Sequence, residues 1–249
     1  VAQRTIAERR QLNLNRPNWA SANVPVITTL EVQKRNKERV NVYLDGEYAF
    51  SLGMMEAARL QRGQTLTEAD ITRLKDEDLV VRAVESASRF LGHRPRSVAE
   101  VHRNLSEKDF DAGVIDAALE RLTRLGYLDD WAFARYWIQN RTQFKPLGRS
   151  ALRFELRHKG VPDAIIQAVL DEVDDESGAY QAAAALLKRM RGADRKTARH
   201  KLSATLSRRG FRFDDIRTAI DQLFEEIDEE DPRFFGLGGD SADSLTDDD

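Results

Sequence analysis

Lys145, Arg149, Arg153 and Arg157 recur every four residues in "KPLGRSALRFELRHKG", with Lys159 closing the run. On a helix over about 147–158 the three arginines form one stripe, Lys145 stands just before it, and Leu152 and Leu156 point elsewhere, into a core. Guanidiniums in a row suit bidentate contact with carboxylates or phosphates, and such contact with phosphates is salt-dependent and sequence-tolerant. Comparable cations stand on either side: Arg94, Arg96, Arg103 and Arg124 before the stripe, and Arg195, Arg199, Lys201, Arg208, Arg209 and Arg212 after it. Taken singly, each group reads as an ordinary solvated helix face. Recurrence in successive segments points to a continuous basic surface, whose partner is nucleic acid or an acidic protein patch.

Catalytic chemistry finds little support. His93, His102, His158 and His200 show no ligand spacing and read as surface residues. The absence of cysteine excludes a thiol nucleophile, a disulfide and a Cys-based metal site, and fits a reducing, cytoplasmic setting. "GLGG" near residue 236 follows no strand and opens no helix, so it is no dinucleotide fingerprint. No buried, mismatched carboxylate pair stands out. The expectation is a protein that is not an enzyme and carries no cofactor or metal. No apolar run approaches a membrane span, and "VAQRTIAERRQLNLN" has no apolar h-region.

Charge is segregated along the chain. Residues 79–217 carry a net +7 and residues 218–249 a net −11, within a total of −3. The middle is therefore a candidate anion-binding body and the end an acidic tail. The tail reads as a solubilising disordered end. The alternative is a segment folding back on the basic body, with "RFFGLGG" as its apolar contact.

The elements that would hold these cations are mostly helical. Val40, Val42 and Leu44 alternate with polar residues, and "DG" at 45–46 signals a type I′ turn before "EYAFSL". With "VITTLEVQ" this predicts a three-stranded meander, covered by a short helix "MMEAARLQ" that Gly63 ends. Thr67 is a candidate N-cap with Asp70 as a near capping box, and Leu66 and Ile71 as a staple. Beyond it the period is helical and the chain repeats. Leu105, Leu156 and Leu206 are 51 and 50 residues apart. Around them recur Val101, Leu152 and Leu202; Phe110, Val161 and Phe211; Ile115, Ile166 and Ile216; and Leu119, Leu170 and Ile220. Asp109, Gly160 and Gly210 stand where a chain leaving a helix needs a left-handed residue. First helices at about 79–91, 130–142 and 177–191 complete three units of three helices that must stack to bury a core.

The expected organisation is thus a mainly α, elongated tandem repeat of about nine helices with a small N-terminal β-meander. A disordered lead covers 1–24, the β-module 25–77, the three units 78–128, 129–175 and 176–227, and an acidic disordered tail 228–249.

The motif "GYLDDWAFARYW" at the first junction and "GRSALRFELRHKG" in the middle unit resemble those of the RecX family, regulatory proteins of the RecA recombinase. The second carries Gly148, Leu152, Glu155, Leu156, Lys159 and Gly160 at that family's positions. The resemblance spans roughly 79–226, and "VQKRNKERVNVYLDGEYAFSL" is similar to the extension of its longer members. It implies a monomer that lies along the RecA filament, alters filament growth, contacts single- or double-stranded DNA where exposed, and catalyses nothing. A helix-turn-helix DNA-binding protein and a general helical-repeat adaptor are the rival readings.

In "GYLDDWAFARYW", Gly126 is expected to end a helix, Asp129 to cap the next with Asp130 in its first turn, and Leu128 to staple Phe133. Phe133, Tyr136 and Trp137 read as core. Trp131 and Arg135 lie off that stripe and remain candidates for partner contact.

Overall fold

Alternation over Arg39–Leu44 puts Val40, Val42 and Leu44 on one face. That face is buried in the computed structural model of the chain, which describes residues 24–236. β1 (Ile27–Val32), β2 (Arg39–Leu44) and β3 (Glu47–Gly53) form an antiparallel sheet in the order β1-β2-β3. Asp45 and Gly46 have φ of 49° and 91°, as a type I′ turn requires, and Leu44 pairs directly with Glu47.

The sheet's cover departs from expectation. The segment after β3 forms a single turn, α1 (Met54–Ala57), with Met55 exposed. A one-turn helix bears the full nucleation penalty for few bonds, and the chain leaves it through i→i+3 bonds from Arg59 and Leu60. Of that segment Ala57 and Leu60 reach the apolar face, and Leu66, Ile71 and Leu74 complete the closure. The last two belong to α2 (Glu68–Leu91). Its start follows the sequence reading. Thr67 Oγ1 accepts from the Asp70 N–H and the Asp70 carboxylate accepts from the Thr67 N–H, each at 3.1 Å. Leu66 and Ile71 are both buried.

The boundary expected at 77/78 is not a break. No Gly or Pro interrupts 68–91, so α2 runs continuously from the β-module into the first repeat. Within it, buried Asp78 accepts from Arg39 Nη1 at 2.6 Å, Arg39 Nη2 at 3.0 Å and the Gly53 N–H at 3.1 Å. The helix is thereby tied to two strands through one carboxylate.

The repeats are α2, α3 (Val98–Ser106) and α4 (Ala112–Arg124); α5 (Asp130–Phe144), α6 (Arg149–His158) and α7 (Asp163–Asp171); and α8 (Asp175–Leu187), α9 (Arg195–Arg208) and α10 (Phe213–Glu230). The repeating apolar columns are buried throughout, except that Phe110 is half-buried. All three middle helices end in the same Schellman turn. The amides of Phe110, Val161 and Phe211 donate to Leu105, Leu156 and Leu206, and those of Asp109, Gly160 and Gly210 to Ser106, Arg157 and Ser207. The corner residues have φ of 60°, 76° and 83°.

The described residues divide into two compact units. The first holds those up to Gly92 with His102–Leu125; the second holds His93–Val101 and those from Gly126 onward. In the second, α10 continues past the expected boundary at 227 to Glu230, and Phe234 and Phe235 pack on the core of the third repeat. "RFF" is therefore part of that repeat. Residues 1–23 and 237–249, which hold nearly all of the expected lead and the rest of the acidic tail, lie outside the described residues.

Breaking the Asp78 contact should be costly, because it leaves a half-buried guanidinium without its ion pair and the buried Gly53 amide without its acceptor. Asp78→Ala is expected to lower stability by about 3–5 kcal/mol, read from denaturant unfolding. A loss below about 1 kcal/mol would show the contact to be dispensable.

Candidate functional site

Most of the cations expected to form one outward stripe are engaged within the chain. Arg149 donates through its side chain to the Val173 carbonyl and lies 3.8 Å from Asp175. Arg153 donates to Gln167 Oε1 at 2.8 Å, and Arg157 pairs with Asp163 at 2.7 Å. The stripe exists on α6, but it leans across to α7 and the next repeat, because i and i+4 side chains also face the acidic and amide positions of the neighbouring helix. Arg195 pairs with Asp228 and Arg199 with Asp221, each at 2.6 Å. Arg135 pairs with Glu172 at 3.2 Å and stands 5.7 Å from the Trp131 ring centroid. Arg94 and Arg96 converge on Glu100. Arg103 and Arg124 are exposed in the first unit.

Lys145, Lys201, Arg208 and Arg209 differ. None has an ion pair with an acidic side chain among the described residues; Arg208 bonds only to Thr205 Oγ1. Lys201 and Arg208 are two turns apart on one face of α9. Lys145 and Arg209 sit on adjoining loops, since the Gly148 N–H donates to the Arg209 carbonyl at 3.0 Å. Phe144 and Phe213 flank these loops in sequence and are 73% and 75% exposed. Four cations without acidic partners, with exposed Phe144 next to Lys145 and exposed Phe213 four residues after Arg209 in sequence, make this the strongest docking candidate in the second unit.

The glycines of the same region build a seam that the sequence disclosed only as helix ends. The first turn of α3 meets the C-terminal turn of α6: Ser97 Oγ, fully buried, donates to the Lys159 carbonyl, and the Val98 N–H donates to Asp130 at 2.9 Å. One repeat later the pattern recurs. Gly148 donates to the Arg209 carbonyl, and the Arg149 N–H donates to Asp175 at 3.1 Å. Each aspartate opens the first helix of one repeat and satisfies an orphan amide at the start of the preceding middle helix. A Cβ on Gly160 would overlap that of Ala99, and one on Gly210 would stand 2.5 Å from the Ala151 nitrogen. These glycines serve both a left-handed corner and a close approach.

Electrostatics at the seam run in opposite senses. Burial raises the Asp130 carboxyl, against the Val98 amide that lowers it, and Asp129 adds to the rise. Burial likewise raises Asp175, against the Arg149 amide and guanidinium. Glu100 would also be raised by burial, but hydrogen bonds from Arg94 and Lys159 and their charges prevail and hold it at about 2. Lys159 is thus a seam residue. It bonds Glu100 at 2.9 Å and lies 4.9 Å from the Trp137 ring, with Arg141 4.7 Å from that ring. Trp137 Nε1 and Arg141 Nε both donate to Glu155 at 2.7 Å.

In "GYLDDWAFARYW" the structure upholds Gly126 as a left-handed stop, Asp129 as the cap of Trp131 and Ala132, and Leu128 and Phe133 as buried. Tyr136 is 40% exposed, so it is not core; Trp137 is half-buried against cations. Asp130 is more than a first-turn charge. Its contact partner lies 32 residues upstream, which no local spacing rule signals. Among the described residues no group of His and acidic side chains could hold a metal ion, and no helix is long and apolar enough to cross a membrane.

Comparison with known proteins follows this anatomy. Residues 25–67 match the regulatory protein RecX N-terminal domain, residues 83–122 the first RecX three-helix domain and residues 129–170 the second. A protein of Listeria monocytogenes serotype 4a named regulatory protein RecX is 32% identical over 207 residues, covering 81% of this chain and 77% of its own length. One of Lactobacillus delbrueckii subsp. bulgaricus with the same name is 35% identical over 214 residues, covering 84% and 78%. A crystal structure of regulatory protein RecX superposes with a TM-score of 0.64 at 24% identity, covering 81% of this chain and 99% of that one. A RecX structure from Lactobacillus salivarius gives 0.54 at 22% identity, covering 60% and 99%. At these identities the two structures speak to the fold alone.

Two outcomes test the seam. Gly160→Ala and Gly210→Ala should each lower stability by about 2–5 kcal/mol, from left-handed strain plus overpacking, while Asp109→Ala at the equivalent first corner should change it by less than about 1 kcal/mol. Equal effects at all three corners would refute a close approach at the two glycines. The Glu100 carboxyl lies lower in the folded chain than its ordinary 4.5, at about 2, so its contribution is complete above that ordinary value and lost as pH falls toward the lower one. Glu100→Gln should therefore melt below the wild type at neutral pH, with the gap closing as pH drops through that window. A gap independent of pH would show that charge is not the cause.

Proposed function

Since the chain belongs to the RecX family, whose curated relatives here are named regulatory proteins, we propose that it is a non-enzymatic modulator of the RecA recombinase filament. In this reading the chain docks on the filament and hinders filament extension, with ATP hydrolysis and DNA strand exchange restrained as a consequence. The ATP site belongs to the partner.

The observation that carries the reading is the group Lys145, Lys201, Arg208 and Arg209, cations without acidic partners in the second unit, with Phe144 and Phe213, near them in sequence, exposed. Charge alone would suit phosphates. Bare phenyl rings next to charge favour a surface with both apolar and acidic features, which a protein filament holding DNA presents. The arginines already bound to carboxylates, Arg135, Arg149, Arg157, Arg195 and Arg199, contribute less, because a new partner must first displace an existing one. Arg153, held only by Gln167, and Lys159, held by Glu100, stand between these cases.

The test is RecA-driven ATP hydrolysis on single-stranded DNA with the full chain added. Reversing Lys145, Lys201, Arg208 and Arg209 to Glu together should raise the concentration needed for half-maximal effect by about tenfold or more at low salt, with helicity unchanged. Full potency in the folded variant would remove this face from the interface. Strong preference for one duplex sequence over random DNA would favour the helix-turn-helix reading instead.

A further inference from the structure

The chain that leaves α10 is fastened to the third repeat just ahead of α9. The Gly192 N–H donates to the Phe234 carbonyl at 2.8 Å, and the Gly236 N–H donates to the Ala193 carbonyl at 3.2 Å. Phe234 is 9% exposed and Phe235 stands 4.8 Å from the Phe224 ring, so rings as well as backbone hold the segment. Gly236 bridges Asp194 in parallel, so the chain passes this point in the same direction as the residues leading into α9. The thirteen residues that follow, 237–249, hold Asp240, Asp243, Asp247, Asp248 and Asp249 and no basic residue. Leu237 and Leu245 are their only large apolar side chains, so charge is what they offer a surface.

α9 has the opposite composition. It carries Arg195, Lys196, Arg199, Lys201 and Arg208 and no acidic residue. Arg195 and Arg199 are engaged with Asp228 and Asp221 of α10. Lys196, His200, Lys201 and Arg208 are exposed, and the helical period sets them on one outward face. Lys196 stands beside Asp194, the helix's own cap, whereas Lys201 and Arg208 have no acidic partner among the described residues. α10 cannot hold an acidic segment, because its last turns carry Glu225, Glu226, Asp228, Glu229 and Glu230.

We propose that residues 237–249 lie along the outward face of α9, with their aspartates on Lys196, Lys201 and Arg208, and cover part of the docking face until the partner displaces them. The contact stands on charge and on the anchor at Gly236; its consequence for docking rests on the proposed function. Reach is ample. A helix of fourteen residues is about 21 Å long, and thirteen extended residues span up to about 45 Å. Tethering at Gly236 keeps the segment at high effective concentration beside α9, so exposed pairs that are weak one by one act together. Salt screens them, so the cover is firm at low ionic strength and loose at high.

A water-soluble carbodiimide condenses a carboxylate with an amine that touches it, and so reads the contact directly. In the full chain at low salt it should join the aspartates of 237–249 to Lys196 and Lys201 in preference to the other exposed lysines. Peptide mass spectrometry of the single-chain species identifies the links, which should fade by about 0.5 M salt. Changing the five aspartates together to Asn should speed acetylation of Lys196 and Lys201 severalfold and leave the other lysines unchanged. Changing the same five to Glu keeps the charge and should reproduce the wild type. In RecA-driven ATP hydrolysis at low salt, the Asn variant should reach half-maximal effect at about threefold to tenfold lower concentration. Absent links, or links spread evenly over the exposed lysines, would overturn the inference whatever happens with RecA. Selective links with no gain in potency would overturn the competition for docking. A chain without any effect on RecA would instead remove the proposed function, while the links still decide the contact.

Discussion

The opening turn of each middle helix leaves backbone amides that its own helix cannot satisfy. In the second unit this constraint organises what surrounds it. Val98 and Arg149 each give an amide to an aspartate that begins another helix, and Ser97 and Gly148 each donate to a carbonyl at a helix end. These contacts are short because the corners they meet carry no side chain. A methyl group at Gly160 or Gly210 would meet the neighbouring repeat at less than van der Waals distance. Packing of apolar columns makes each repeat a body; within the second unit the polar seam joins the opening turn of one middle helix to the glycine corner of another.

The seam also accounts for much of the charge. Glu100 gathers Arg94, Arg96 and Lys159, and Glu155 gathers Arg141 and the Trp137 indole. A cation held this way is a positioning group for the repeats before it is a reagent for a partner. Exposed pairs such as Arg157–Asp163 add little stability, yet they still reduce the field that an approaching anion meets. The surface potential is thus narrower than the +7 of the middle segment suggests, and it concentrates where α9 and the α5–α6 loop carry cations without acidic partners.

At the other end of the chain one helix does two jobs. Without Gly or Pro, α2 runs for 24 residues, its first turns closing the β-sheet and its later ones packing with α4. Asp78 lies between these tasks and takes both nitrogens of the Arg39 fork. A short helix over 54–61 is the expected cover for the sheet, but a one-turn segment offers only Ala57 and Leu60, and Leu66, Ile71 and Leu74 complete the closure.

The sequence by itself determined the architecture. Alternation and "DG" specified the hairpin, Thr67 and Asp70 the start of α2, and the columns through Leu105, Leu156 and Leu206 the three repeats with their left-handed corners. These are local rules with periods of two and of 3.6, and they act within one element. The motifs at Gly126–Trp137 and Gly148–Gly160 carried the family. Only the tertiary structure decided which cations face outward, because pairings such as Arg195 with Asp228 join residues 33 apart with no spacing rule between them. It alone revealed that Asp130 and Asp175 lock neighbouring helices, that Tyr136 is exposed, and that "RFF" belongs to the third repeat. Those facts depend on which surfaces meet, and close approach between distant segments leaves only a glycine or a small residue as its trace in the chain.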